Sequence, residues 1–353
     1  MTPTPPGSIT STTSTERPET DAVRRVGPGP RHAVGVDVGQ SNTTIIVADL
    51  GGRPVIARQS PTSTATEPTM VADWLADTLA SVAGPAWAAT SVVGISVPGA
   101  VRVGGTAITE TPTMPQLADP AFLTTLESRL GRELLLDSDT NFAMSGELRY
   151  GAARGRSSSV LLLLGASLGV GFARGGHVLR SLTGTIGNFG HLPIGPDEVR
   201  LDQLVTGPGL ARRAAATGVS LNHPAELFDD AGAETQAELR RQFHEALQVV
   251  LTAVTVACDP ECIVLGGPLG SRINAASTRY RDRLLADLNC APTVTISQLG
   301  DLAAAVGAVS AALQATCRTL GSGDQWIADQ SAASQLDASR LRAALHAGEL
   351  LAS

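Results

Sequence analysis

Three glycine-rich segments carry the residue types that can hold a polyphosphate. The first, Asp37-Val38-Gly39-Gln40-Ser41-Asn42-Thr43, sits between two apolar runs. Glycine lets the backbone approach a phosphate, exposed N–H groups donate to it, and the Ser41 hydroxyl adds a donor. Asp37, at the end of the first run, can hold a hydrated Mg²⁺. Taken alone, the same residues also read as an ordinary β-hairpin with an acidic group at its mouth. A second segment, Gly165-Ala166-Ser167-Leu168-Gly169-Val170-Gly171, follows another apolar run. Two such hairpins in separate lobes can face each other across a cleft with the phosphates between them. The third, Gly266-Gly267-Pro268, follows the run Ile263-Val264-Leu265 and leaves room for a flat ring against the backbone.

The elements that must position these loops follow from hydrophobic periodicity. Strands are expected over residues 33–39, 43–50, 54–58, 91–97, 133–136, 160–164, 172–174, 262–265 and 294–296. Helices are expected over 71–83, 120–130, 140–150, 209–216, 234–257, 271–288 and 302–320. Strand, glycine turn, strand, then helices, occurring twice, predicts two α/β lobes of related build. The expected division is an N-terminal lobe over 32–138, a C-terminal lobe over 139–300 and a helix over 301–320 returning to the first lobe. Residues 1–31 are rich in Pro, Thr, Ser and Gly and read as a disordered arm. The Ala/Ser-rich tail, 321–353, reads equally as a short packed helix over 338–352 or as plain tail.

Composition narrows the function classes. Hydrophobic residues make up 43% and charged residues 17%, enough for a sizeable core. All 26 basic residues are arginine and the net charge is −7, which argues against a nucleic-acid-binding surface. No stretch approaches about 18 uninterrupted apolar residues, so no membrane span is expected. Residues 1–31 contain no apolar run of the kind a secretory signal needs. Four cysteines in 353 residues do not make a disulfide framework, and a cytoplasmic setting is expected.

The chain resembles the ROK family, the bacterial sugar kinases and sugar-responsive repressors of the actin/hexokinase superfamily. The resemblance runs from Ala33 to Leu313 and is carried by DVGQSNT, DSDTNFAMSGE, LGASLGVG, IGNFGH, LDQLVTGPGL and DPECIVLGG, in the family's order. It implies an actin-like (ribonuclease H-like) duplicated two-lobed α/β ATPase fold with a central cleft. It also implies an ATP- and Mg²⁺-dependent kinase acting on a sugar-like small molecule, and a homodimer. The implied ATP-binding groups are Asp37, Gly39, Gln40, Ser41, Asn42, Gly165, Ala166, Ser167, Gly169, Gly266 and Gly267.

In the family an Asn-Asp-x-Asn segment supplies the catalytic base, and here Ser138-Asp139-Thr140-Asn141 stands in its place. Asp139 then accepts the proton of an attacking sugar hydroxyl. Asp is also a favoured helix N-cap, the other reading of this position. Ser138, Asn141, Asn188, His191, Asp202 and Thr113 are the implied lining of the acceptor site. Several depart from the family pattern. Asn188 replaces a sugar-binding glutamate, Asp202 a longer glutamate, and Thr113 and Ser138 stand for asparagines. In the phosphate loops Gln40 and Asn42 replace glycine and lysine, and Ala166 a threonine. The cysteine loop that holds zinc beside the histidine in many relatives is absent after His191, so no zinc site is expected. These departures leave a second reading, a catalytically degenerate sensor that binds sugar and nucleotide without turnover. A repressor is not expected, because the 31-residue arm is short and polar for a folded DNA-binding head.

Overall fold

A computed structural model of the chain describes residues 31–195, 197–221, 223–229, 234–290, 292–321, 336 and 338–347. All but the last residue of the predicted N-terminal arm, and most of the predicted tail, lie outside them.

The first sheet is built from β1 (His32–Val38), β2 (Asn42–Asp49), β3 (Pro54–Pro61) and β4 (Thr90–Val97). A two-stranded ribbon of β5 (Ala100–Val101) and β6 (Ile108–Glu110) follows, and β7 (Glu133–Ser138) completes the sheet. Its order is β3-β2-β1-β4-β7, the first three strands antiparallel and the pairs β1/β4 and β4/β7 parallel. Helices α1 (Pro68–Ala83) and α2 (Pro120–Leu130) pack on each other, and their apolar faces join the core of this sheet. Helix α3 (Asp139–Tyr150) leaves directly from the end of β7.

The second sheet repeats that topology. Its strands are β8 (Ser158–Leu164), β9 (Leu168–Arg174) and β10 (His177–Val178), then β13 (Cys262–Gly266) and β14 (Thr293–Ile296). Their order is β10-β9-β8-β13-β14, again with an antiparallel trio flanked by parallel pairs. Between β10 and β13 lie the ribbon of β11 (Pro193–Ile194) and β12 (Val199–Arg200) and the helices α4 (Asp202–Val205), α5 (Gly207–Ala216) and α6 (Glu234–Cys258). Helices α7 (Gly267–Gly270) and α8 (Ser277–Leu288) follow, then α9 (Ala303–Thr319) and α10 (Ala338–Ala347). The segment predicted as one helix over 271–288 is a 3₁₀ turn at Ser271–Ala276 followed by α8, with non-helical angles at Ile273. The second glycine turn is also shorter than expected. Strand β9 begins at Leu168 rather than Phe172, because Gly169 and Gly171 pair with Leu163 and Leu161 of β8.

Helix α9 packs on β1, β4 and α3. By composition it could cross a membrane, but 72% of its most apolar stretch is buried in the protein interior. Its sequence AAAVGAVSAA is small-sided because it lies closer to its neighbours than ordinary side chains allow. A Cβ on Gly94 of β4 would stand 2.2 Å from the Ala308 carbonyl oxygen.

Glu147 ties the end of α3 to the start of α9. Its side chain is fully buried and accepts from the N–H groups of Ala152 at 2.6 Å and Leu299 at 3.0 Å, and from the Ser297 hydroxyl. Glu147→Ala would strand these donors in the interior. Chemical denaturation is expected to show a loss of at least about 3 kcal/mol.

Candidate active site

Strand β7 ends where α3 begins, and this junction delivers the Ser138–Asn141 segment. Ser138, not Asp139, is the N-cap: its Oγ accepts from the Asn141 N–H at 3.2 Å. The capping alternative for Asp139 is thereby removed. One oxygen of Asp139 accepts from the Thr140 N–H at 2.6 Å and its hydroxyl at 3.1 Å. The other oxygen has no hydrogen-bond partner among the described residues. Burial raises the Asp139 carboxyl to about pKa 6.

Asp137, absent from the sequence expectations, orients this segment. Its Oδ1 accepts from the Asn141 side-chain amide at 2.7 Å and the Ser138 N–H at 2.9 Å. Its Oδ2 accepts from Arg180 Nε at 2.6 Å. A buried carboxylate with three donors holds a rigid geometry.

Asp139 and its neighbours open onto a cavity of about 410 Å³ between the two sheets. Ser138, Asn141, Thr113, Asn188, His191 and Asp202 all line it, as do Ala166, Ser167 and Gly169. The cavity also holds residues that no sequence motif marks: Glu110 at the end of β6, Arg200 of β12 and Arg212 of α5. Glu110 Oε2 accepts from the Asn188 amide, and its Oε1 lies 3.3 Å from His191 Nε2. Arg200 meets His191 at Nδ1. A guanidinium only donates, so Nδ1 is the acceptor and Nε2 carries the proton toward Glu110. Asp202 Oδ1 is buried without a hydrogen-bond partner among the described residues.

Not every expected group meets there. Gly39, Gln40 and Ser41 form the β1–β2 turn, Asn42 opens β2, and none of the four lines this cavity. The turn is pinned by Thr62, which donates its hydroxyl to the Gly39 carbonyl at 2.7 Å and its N–H to that of Ser41 at 3.0 Å. Asp37 ends β1 beside it. Its Oδ1 accepts from Ser96 at 2.6 Å, and burial, reinforced by the Asp139 charge, raises its pKa to about 7. Gly165, Gly266 and Gly267 gather at the ends of β8 and β13 instead. A Cβ on Gly267, where φ is +79°, would lie 2.6 Å from the Leu164 carbonyl, so glycine is required by packing whatever binds nearby.

Two desolvated carboxylates, one raised further by the charge of the other, suit a hard, hydrated divalent cation. A structural zinc needs about four N or S ligands, and among the described residues no three His, Cys, Asp or Glu side chains converge. Purified protein is expected to contain no stoichiometric zinc by elemental analysis; one zinc per chain would overturn this.

A family model for the ROK family matches residues 33–315, nearly the whole described chain. The chain belongs to the ROK family. Its two sheets are therefore the two halves of the family's actin-like fold. This ROK chain is 35% identical over 146 residues to the bifunctional enzyme NanE/NanK of Brucella melitensis. That match covers 40% of the chain but only 28% of the Brucella protein's length. It is 24% identical over 314 residues to the glucokinase of Streptomyces coelicolor, covering 79% of this chain and 96% of that one. The solved ROK hexokinase of Thermus thermophilus superposes with a TM-score of 0.66 at 28% identity, covering 79% and 96% of the two chains.

Proposed function

We propose that the chain transfers the γ-phosphoryl group of ATP to a hydroxyl of a sugar or sugar-like molecule, with Asp139 as general base. The observation that carries this is Asp139 itself, a carboxyl of pKa about 6 with one oxygen unpartnered among the described residues, lining a cavity whose other groups suit hydroxyls. A base titrating near 6 is charged at neutral pH yet basic enough to take a proton in the transition state. The kinase relatives support the same reading.

In the proposed reaction the acceptor hydroxyl gives its proton to Asp139 as its oxygen bonds to the γ-phosphorus. The bond from that phosphorus to the β–γ bridging oxygen breaks, and ADP leaves. Mg²⁺, held by Asp37 through water, would neutralise phosphate charge when bound. Asn141 is fixed by Asp137, so its carbonyl oxygen can accept from the acceptor. Glu110, Asn188, His191 and Asp202 hold hydroxyls remote from the reacting one.

Ala166 and Asn42, where the family pattern named above has a threonine and a lysine, favour a second reading, binding without turnover. A coupled assay of ADP release with Mg-ATP and a panel of sugars, amino sugars and polyols separates the two. Acceptor-dependent release supports the kinase. Saturable binding of an acceptor with no release supports the sensor.

A further inference from the structure

A second cavity, of about 980 Å³, lies against the first. The chain at and just after the end of β10 divides them: Leu179 and Ser181 line the first, Val178 and Arg180 the second. Helix α3 serves both as well. Its first residues carry Asp139 to one cavity, while Ser145, Leu148 and Arg149 line the other.

The second cavity is strongly cationic. Arg149, Arg154, Arg156, Arg180 and Arg318 line it with His177, against the single carboxylate of Glu133. Arg149 and Arg318 stand in the last turns of α3 and α9, where a cation complements the helix dipole. Arg154, Arg156 and Arg180 come from loops instead. Arg149 faces the Gln314 side chain and Arg180 is paired with Asp137, yet five guanidiniums brought from five positions to one cavity, in a chain of net charge −7, concentrate positive charge that a polyanion complements. The guanidinium fork matches phosphate oxygens two at a time, and the volume admits a ligand with several such groups.

Arg180 gives the cavity a connection. Its Nε donates to Asp137, leaving the two terminal nitrogens for a ligand. Asp137 in turn holds the Ser138 N–H and the Asn141 amide. An anion on Arg180 would fix the guanidinium, and with it the segment that carries Asp139.

We propose that this cavity binds a small anion carrying two or more phosphate groups, and that binding steadies the Ser138–Asn141 segment through Arg180 and Asp137. Calling that segment catalytic rests on the kinase reading; the binding does not.

The test is calorimetry on the full chain, with the nucleotide site saturated by Mg²⁺ and a non-hydrolysable ATP analogue. Tripolyphosphate represents condensed phosphates and a hexose bisphosphate represents phosphorylated metabolites. At least one is expected to bind once per chain despite the analogue. An Arg156→Gln/Arg318→Gln double variant, melting like the parent, should weaken it at least about tenfold. Binding abolished by the analogue, unchanged in the double variant, or absent for both probes overturns the site. Hydrogen exchange tests the connection: the bound anion should slow exchange over residues 138–145 in the parent and not in Arg180→Gln at saturation. Unaltered exchange in the parent, or equal slowing in Arg180→Gln, overturns the coupling. Neither readout needs turnover, so a failed kinase assay leaves both intact.

Discussion

Asp139→Asn is expected to lower turnover at least about a hundredfold while leaving the fold and nucleotide binding in place. The asparagine keeps the shape and can still meet the Thr140 N–H, but it cannot take a proton. The pH profile is the second signature. With the carboxyl raised to about 6, kcat/KM should fall as the pH drops through that value and the base becomes protonated. A residual rate in the variant should lose that limb. Stability should move the opposite way. The folded carboxyl titrates above its ordinary 3.8, so the folded state binds the extra proton between about pH 4 and 6. The stability this contributes is present in acid and is lost as the pH rises through 6. At neutral pH the native chain therefore carries a charge it would rather neutralise, and Asp139→Asn should raise Tm by a few degrees. Asp37 adds to the effect, since the Asp139 charge is one cause of its own raised pKa. Near-native turnover in the variant would remove Asp139 from its assigned role; an unchanged Tm with turnover lost would show that the charge is compensated by a neighbour.

Much of this architecture is legible in the amino-acid sequence alone, and what is not legible has a physical pattern. Strands β1, β8 and β13 end in the glycine loops, and buried runs such as VGVDV and VLLLL read plainly because both faces are covered. Asp139, Asn188, His191 and Asp202 stand out because each sits in a short motif whose neighbours identify it. Glu110, Arg200 and Arg180 do not. They come from short ribbon strands and a connecting loop, where no periodicity marks which side chain turns inward. Asp137 is hidden differently: close to Asp139 at a strand end, it looks like a second carboxylate of the same kind, and only its three donors reveal a positioning role. The start of β9 is misread because Gly169 and Gly171 look like turn residues. A Cβ on Gly169 would stand 2.3 Å from Thr140 Oγ1, so what they supply is closeness to α3 rather than flexibility.

Glucose is expected to be a poor acceptor, with kcat/KM on the order of 10²–10³ below that of the preferred substrate. The ROK resemblance implies that in glucose-type members two glutamates accept from hydroxyls remote from the reacting one. Here Asn188 occupies the first of those positions and directs its amide N–H to Glu110 Oε2 at 3.3 Å. The negative charge has in effect moved across the cavity, from the loop before His191 to the end of β6. Asp202 keeps its charge but is shorter by one bond, about 1.5 Å, and its Oδ1 finds no partner among the described residues. Ser138 is smaller than the asparagine of the family pattern, and its hydroxyl oxygen already accepts from the Asn141 N–H as the cap of α3. A glucose hydroxyl left unpaired at each altered position costs about 1–3 kcal/mol, and two such mismatches give the range above. The preferred acceptor should carry a different group there: an amino sugar, a modified sugar or a polyol. Competition between glucose and such a panel decides it, and glucose emerging with the highest kcat/KM would sink the pocket assignment while sparing the kinase. A repair experiment sharpens the test. Asn188→Glu alone should not help glucose, because its carboxylate would face that of Glu110 at hydrogen-bonding distance and the two would repel. Paired with Glu110→Gln the charge returns to its usual place, and glucose kcat/KM should rise by about tenfold, the worth of one restored hydrogen bond. Improvement in the single variant, or none in the double, would show that Glu110 and Asn188 do not share one hydroxyl.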